Sequence, residues 1–285
     1  MSSNSIQTIK TYAFNGIYNL QYLYLNCNNI SVIEPFSFSS FKLLEELNLT
    51  YNNLNSIQAN AFSTKHYLYY VYLSNNNLES ISEFAFNGTN GFQLILNNNR
   101  INKIEPNAFN GVNLFGLYLN YNRISSISKF TFNNSYIENL AITNNFIDKL
   151  EANVFNGLTG CTTFDLRLNK MSSIESYAFN ISDIAIVLDL SSNELTRIEA
   201  NAFNGLLFVG SLNLDNNKIN TLKSNTFNGS HIEQELYIRS NNLTTIESGA
   251  FNSLISLDYL YLSNNTIKTI QPNGFSDLSN ATVNF

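Results

Sequence analysis

The residues best suited to chemistry are three carboxylates and the side chains that recur beside them. Asp165 and Asp189 stand 24 residues apart, Asp215 follows close behind, and Arg167 and Arg239 lie in equivalent stretches. Tyrosines hold corresponding places on either side: Tyr24, Tyr72 and Tyr118 before the acidic stretch, Tyr237 and Tyr261 after it. Grouped carboxylates serve acid–base catalysis, hold a cation or recognise a basic partner. Acid–base catalysis also needs a second group within reach of the reacting atoms, and the two histidines, His66 and His231, are too far apart along a repeating chain to share a site. No G-x-S-x-G, phosphate-cradling glycine loop, C-x-x-C or H-E-x-x-H is present. Two aspartates without a liganding loop make a poor calcium site. Glu34, Glu105, Glu151, Glu175, Glu199 and Glu247 recur one to a repeat and read as solvated turn residues rather than paired acids. Recognition is the chemistry left, with no catalytic residue, metal or cofactor expected.

The regular spacing comes from an internal repeat. A phenylalanine column runs from Phe14 to Phe275 and an asparagine column from Asn4 to Asn265, in steps of 24 except for three consecutive steps of 23 between Asn76 and Asn145. The unit is clearest between Phe251 and Phe275, as F-x-x-L-x-x-L-x-x-L-x-L-x-x-N-x-I-x-x-I-x-x-x-x-F. Leu260 and Leu262 alternate with period two, so both leave one face of a short strand while Tyr261 leaves the other. Asn265 falls where the chain turns out of the strand, and its amide can satisfy backbone groups that the turn strips from the ladder. Ile267 and Ile270 point inward on the return side, and Phe275 fills the back of the coil. A single such unit cannot bury its own apolar face, so its stability comes from its neighbours.

The L-x-x-L-x-L-x-x-N-x-I core, with a phenylalanine eight residues after the Ile or Leu that follows Asn, resembles the leucine-rich repeat family. The length and the F-x-x-L stagger resemble its typical subclass, found in animal extracellular proteins such as Slit, chaoptin and the Toll-like receptor ectodomains. The resemblance covers essentially the whole chain. It implies an α/β solenoid, a horseshoe with a parallel β-sheet on its concave face and about eleven strand-bearing repeats, its outer side mostly irregular or short helical turns. It also implies a non-catalytic protein-recognition scaffold, part of an extracellular receptor, adhesion or matrix protein. A cytosolic scaffold of the same repeat, or an interaction arm of a larger enzyme or signalling protein, remains the alternative.

No linker or charge block interrupts the periodicity, so residues 1–285 are expected to form one domain. The partial repeats at 1–14 and 276–285 and the lack of capping units suggest a segment of a longer protein, and no signal peptide is evident in it. The 51 asparagines far exceed the dozen in the column, and genomic base composition is the expected source of the surplus. Gly91, Ala185 and Glu233 stand where a bulky apolar residue belongs, with Ile232 able to take the core place of Glu233. Cys161 reads as a small buried hydrophobe, and it lies too many repeats from Cys27 for the two to pair.

Residues flanking and between the strand leucines point away from the core. The expected ligand-binding set is therefore Tyr24, Tyr72, Tyr118, Asp165, Arg167, Asp189, Asp215, Tyr237, Arg239 and Tyr261. Tyrosine gives large, rigid contact area with a polar tip. Like charges stacked on neighbouring strands repel, so the acidic middle suggests a protein ligand with a basic patch. The net charge of −6 lacks the basic stripe that nucleic acid requires, and no apolar run reaches the ~18 residues of a membrane span. Nine N-x-S/T sequons are about what 51 asparagines yield by chance. Four of them, at Asn87, Asn133, Asn180 and Asn228, directly follow a spine phenylalanine, at the outer edge where a glycan fits.

Overall fold

A computed structural model describes residues 1–62, 68–181, 187–278 and 280–285. His66 and Ala185 lie outside the described residues. The chain divides into two compact units, 1–142 with 157–159 and 143–156 with 160–285. Each is a run of the same coil.

In the first unit, strands Tyr22–Tyr24, Glu46–Asn48, Tyr70–Tyr72, Asn90–Ile95, Asn113–Tyr118 and Ser135–Ala141 pair in that order, all parallel. In the second, Thr163–Asp165, Val187–Asp189, Val209–Asn213, Ile232–Tyr237, Tyr259–Tyr261 and Thr282–Asn284 do the same. Leu47, Leu94, Leu188 and Leu236, from the middle leucine column, are wholly buried. Two-residue parallel ladders on the return side, such as Ser56–Ile57 with Ser80–Ile81 and Thr221–Leu222 with Thr245–Ile246, carry the inward Ile and Leu. The expected solenoid is thus present, and among the described residues its outer side is built of turns with no helix. The fold class holds without its helical part.

The phenylalanines form the back of each unit. Their rings stack at 5.3–5.9 Å from Phe14 to Phe132 in the first unit. From Phe155 to Phe275 in the second they stack at 5.4–6.0 Å. The asparagine column does the work its chemistry suggested. Asn52 Oδ1 accepts the Ile30 N–H at 3.0 Å, while its Nδ2 donates to the Leu49 carbonyl of its own coil and the Leu25 carbonyl of the preceding one. The same buried stitch recurs at Asn76, Asn99, Asn122, Asn193, Asn217 and Asn241.

Where a coil has 23 residues the strand lengthens. Strands Asn90–Ile95, Asn113–Tyr118 and Ser135–Ala141 run six or seven residues, against three for Tyr22–Tyr24. Coil length is not the whole cause, since Val209–Asn213 and Ile232–Tyr237, in coils of 24, run five and six residues. Gly91, expected as a weakened core position, has a different reason to be glycine: a Cβ there would meet the Leu68 carbonyl oxygen at 2.0 Å. Ile232 is buried, and the ladder register shifts beside it, leaving Glu233 half-buried.

Base composition is not needed for all of the asparagine surplus. Every coil visits the left-handed region twice, one residue before the column asparagine and two residues before the spine phenylalanine. Asparagine tolerates positive φ better than other non-glycine residues, and eleven of these positions carry it, among them Asn75, Asn98, Asn201 and Asn225.

Candidate functional site

The solvent-facing side of each main sheet carries the side chains singled out above, held by neighbours in ways that single columns do not reveal. In the second unit Asp165 and Asp189 are direct partners on adjacent strands. The repulsion this implies is offset by Arg167, whose Nε and Nη2 donate to Asp165 at 2.9 and 2.7 Å, with Nε 3.6 Å from Asp189. The hydrogen bond to Asp165, followed by its charge, raises the Arg167 pKa. The cation between the carboxylates is the protein's own.

Asp215 was expected on the open face, but it is only 6% exposed. It accepts the backbone N–H of Arg239 at 2.6 Å, Nε at 2.8 Å and Nη2 at 2.6 Å. The Arg239 guanidinium then lies 4.8 Å from the Tyr237 ring and 5.6 Å from the Tyr261 ring, which stack on each other at 4.7 Å. Asp215 is therefore the hidden anchor of an exposed arginine–tyrosine assembly. Burial, then the hydrogen bond and charge of Glu235, push the Tyr237 phenol up to about 12.

In the first unit Tyr24 donates to Glu46 at 3.4 Å, and Tyr72 stacks on Tyr70 at 6.0 Å. The Tyr118 ring lies over Gly116, where a Cβ would come within 2.8 Å of the ring and hydroxyl. Burial raises the phenol pKa of all three, Tyr24, Tyr72 and Tyr118, with Glu46 adding to it at the first two. Reading single columns missed the stacked pair Phe92–Phe115, 4.3 Å between centroids, and the adjacent carboxylates Glu45 and Glu46. Alternation signals only Glu46, directly before the middle leucine; Glu45, Phe92 and Phe115 stand two before it, a parity that alternation alone turns inward, yet they are half-buried at the surface.

The recurring glutamates are not merely solvated. Glu34, Glu175 and Glu247 accept the backbone N–H groups of Thr11, Ala152 and Ser224 from the preceding coil, at 2.8, 3.2 and 3.4 Å. The Thr11 hydrogen bond holds Glu34 below the usual carboxylate range. Glu105, Glu151 and Glu199 pair with Lys103, Lys149 and Arg197. His231 Nε2 lies 3.2 Å from Ser256 Oγ on the surface, but among the described residues no carboxylate contact orients the imidazole as nucleophilic catalysis requires. Among the described residues no group of three or more His, Cys, Asp or Glu is placed to hold a metal, and no helix is long and apolar enough to cross a membrane. Both cysteines are free thiols, Cys27 exposed and Cys161 buried. Of the sequon asparagines, Asn87, Asn180 and Asn228 are exposed and Asn133 is half-buried.

Leucine-rich repeat models match residues 1–54, 42–94 and 234–282, and a BspA-type leucine-rich repeat region of six copies matches residues 79–209. The chain belongs to the leucine-rich repeat family. No curated protein matches it. Among solved structures, the glycosylated Toll–Spatzle complex, a hub in Drosophila development and innate immunity, is 20% identical with a TM-score of 0.71. That alignment covers 95% of this chain and 37% of the other. The LRIM1/APL1C complex is 24% identical with a TM-score of 0.60, covering 95% of this chain and 48% of the other. The complex of TLR13 with ssRNA13 is 20% identical with a TM-score of 0.52, covering 99% and 51%. This leucine-rich repeat chain spans about half or less of those chains, and at such identities the likeness shows the fold. Because one of them is a complex with RNA, the fold by itself does not exclude nucleic acid. The exclusion drawn above rests on charge alone.

Proposed function

We propose that this leucine-rich repeat chain is a non-catalytic recognition scaffold, part of an extracellular receptor, adhesion or matrix protein, whose strand surface binds a protein ligand. The observation that carries the reading is the Asp215–Arg239–Tyr237–Tyr261 assembly. Its aromatic and arginine side chains are ordered before any partner arrives, which lowers the entropy cost of binding, and they are of the types that dominate interface energetics. The complexes of Toll with Spatzle and of LRIM1 with APL1C lend support, since each contains a chain of this fold in an assembly.

The ligand contacts the Asp165–Arg167–Asp189 surface through a basic patch. The paired substitution Asp165→Asn and Asp189→Asn is expected to weaken a protein ligand purified with the chain from its native source about tenfold, with the melting temperature unchanged. Calorimetric titration and thermal melting check both parts, and an unaltered affinity would sink the assignment of this surface. The extracellular reading rests on the family resemblance, and the exposed sequons offer its test. Mass spectrometry of the native protein is expected to find N-linked glycan at one or more of Asn87, Asn180 and Asn228, and bare asparagine at all three would favour the cytosolic scaffold instead.

A further inference from the structure

The first unit holds a groove with the composition of the arginine–tyrosine assembly but without its arginine. Tyr22, Glu45, Glu46, Tyr69 and Tyr70 line a cavity of about 280 Å³. Strand register places Glu46 directly between Tyr22 and Tyr70, each one strand away. Glu45 comes one residue earlier, its Oε2 3.5 Å from the Tyr22 hydroxyl, as Glu46 Oε2 is 3.4 Å from that of Tyr24. These phenol contacts are long, and Gln21 at 3.4 Å is the other side-chain donor to Glu45. Among the described residues neither Glu45 nor Glu46 has an ion pair, whereas Asp165, Asp189 and Asp215 all do. Two adjacent half-buried carboxylates among tyrosines thus carry charge that the groove itself does not neutralise.

The chain shows what such a combination holds. In the second unit a carboxylate and two tyrosine rings fix the Arg239 guanidinium, which donates hydrogen bonds from its edge and meets the rings with its face. We propose that the Tyr22–Glu45–Glu46–Tyr70 groove receives an arginine side chain from the protein ligand, filling in trans the role that Arg239 fills in cis. The idea rests on the protein-recognition reading above and deepens it, adding a defined cation contact at Glu45 and Glu46 to the basic-patch contact proposed at Asp165 and Asp189. A planar guanidinium suits the site better than an ammonium, because it can meet both carboxylates while lying against a ring.

The probe is a capped Gly-Arg-Gly peptide, titrated against the intact chain by NMR and compared with the same peptide carrying citrulline, which keeps the shape but loses the charge. The arginine peptide is expected to bind at least tenfold more tightly than the citrulline one. Glu45→Gln with Glu46→Gln should remove that preference without altering the melting temperature, and Tyr22→Ala should weaken it severalfold. Asp165→Asn with Asp189→Asn should leave it intact. Equal binding of the two peptides, or an undiminished preference after the Glu45 and Glu46 changes, overturns the proposal. Retention of the peptide preference when the Asp165 and Asp189 changes fail to affect the protein ligand would support the groove while discarding the acidic-strand surface, so the two readings fail separately.

Discussion

Replacing Phe203 with alanine is expected to cost about 4 kcal/mol of stability, the middle of the range for a large aromatic removed from a packed core. Its ring has no exposed surface and stacks on Phe179 at 5.7 Å and on Phe227 at 5.5 Å. The change leaves a cavity between the two stacked rings, and both neighbours lose a stacking face. Because stability in a repeat array is a sum over neighbouring contacts, the loss should spread to the coils on each side. Phe275 stacks on Phe251 alone within the spine and is already half-exposed. The same change there should cost about half as much. Urea melts of the two variants check the ranking, and equal midpoints would show that the spine does not transmit stability between coils.

Asn217→Ala is expected to cost about 3 kcal/mol although it removes only a small polar group. Its Oδ1 accepts the Leu195 N–H at 3.0 Å, and its Nδ2 reaches the carbonyls of Leu190 and Leu214, each at 3.1 Å. Alanine leaves a buried donor and buried acceptors unpaired, and each such group costs about 1–3 kcal/mol. Asn217→Asp separates the two roles. It keeps an acceptor for Leu195 but puts a carboxylate against carbonyl oxygens, so it should be at least as destabilising at pH 7 and recover part of the loss in acid, where the protonated side chain can donate again. Thermal melts at both pH values test this; an Asp variant as stable as the parent at pH 7 would mean that the donor side contributes nothing.

The repeat was legible because core positions obey one rule in every coil. Leu260, Leu262 and Asn265 each have a counterpart in every neighbouring coil, and burial follows that column structure closely. The strand surface was less legible, because its arrangement depends on pairs in different columns. Arg167 reaches back to Asp165 within its own coil, whereas Arg239 reaches across to Asp215 in the coil before. No column contains that difference. The sequence alone could not tell that Asp215 would be buried by its own partner while Glu45 and Glu46, among the described residues, would have no ion pair. Gly91 misled for a related reason: its absent side chain answers a backbone carbonyl in the neighbouring coil, and that approach leaves no periodic mark.

The stitching asparagines also make the length of the chain adjustable. Asn52 joins residues 25, 30 and 49, and Asn217 joins residues 190, 195 and 214, so the two sets of offsets are the same. A coil copied or deleted whole leaves every remaining amide facing the same kinds of partners at the same separations. Growth by duplication therefore demands no redesign of the interior, whereas an insertion of a few residues would misalign the amide, the ring and the strand together. Selection can lengthen such a protein a coil at a time, and vary its surface coil by coil, while the interior stays as it was.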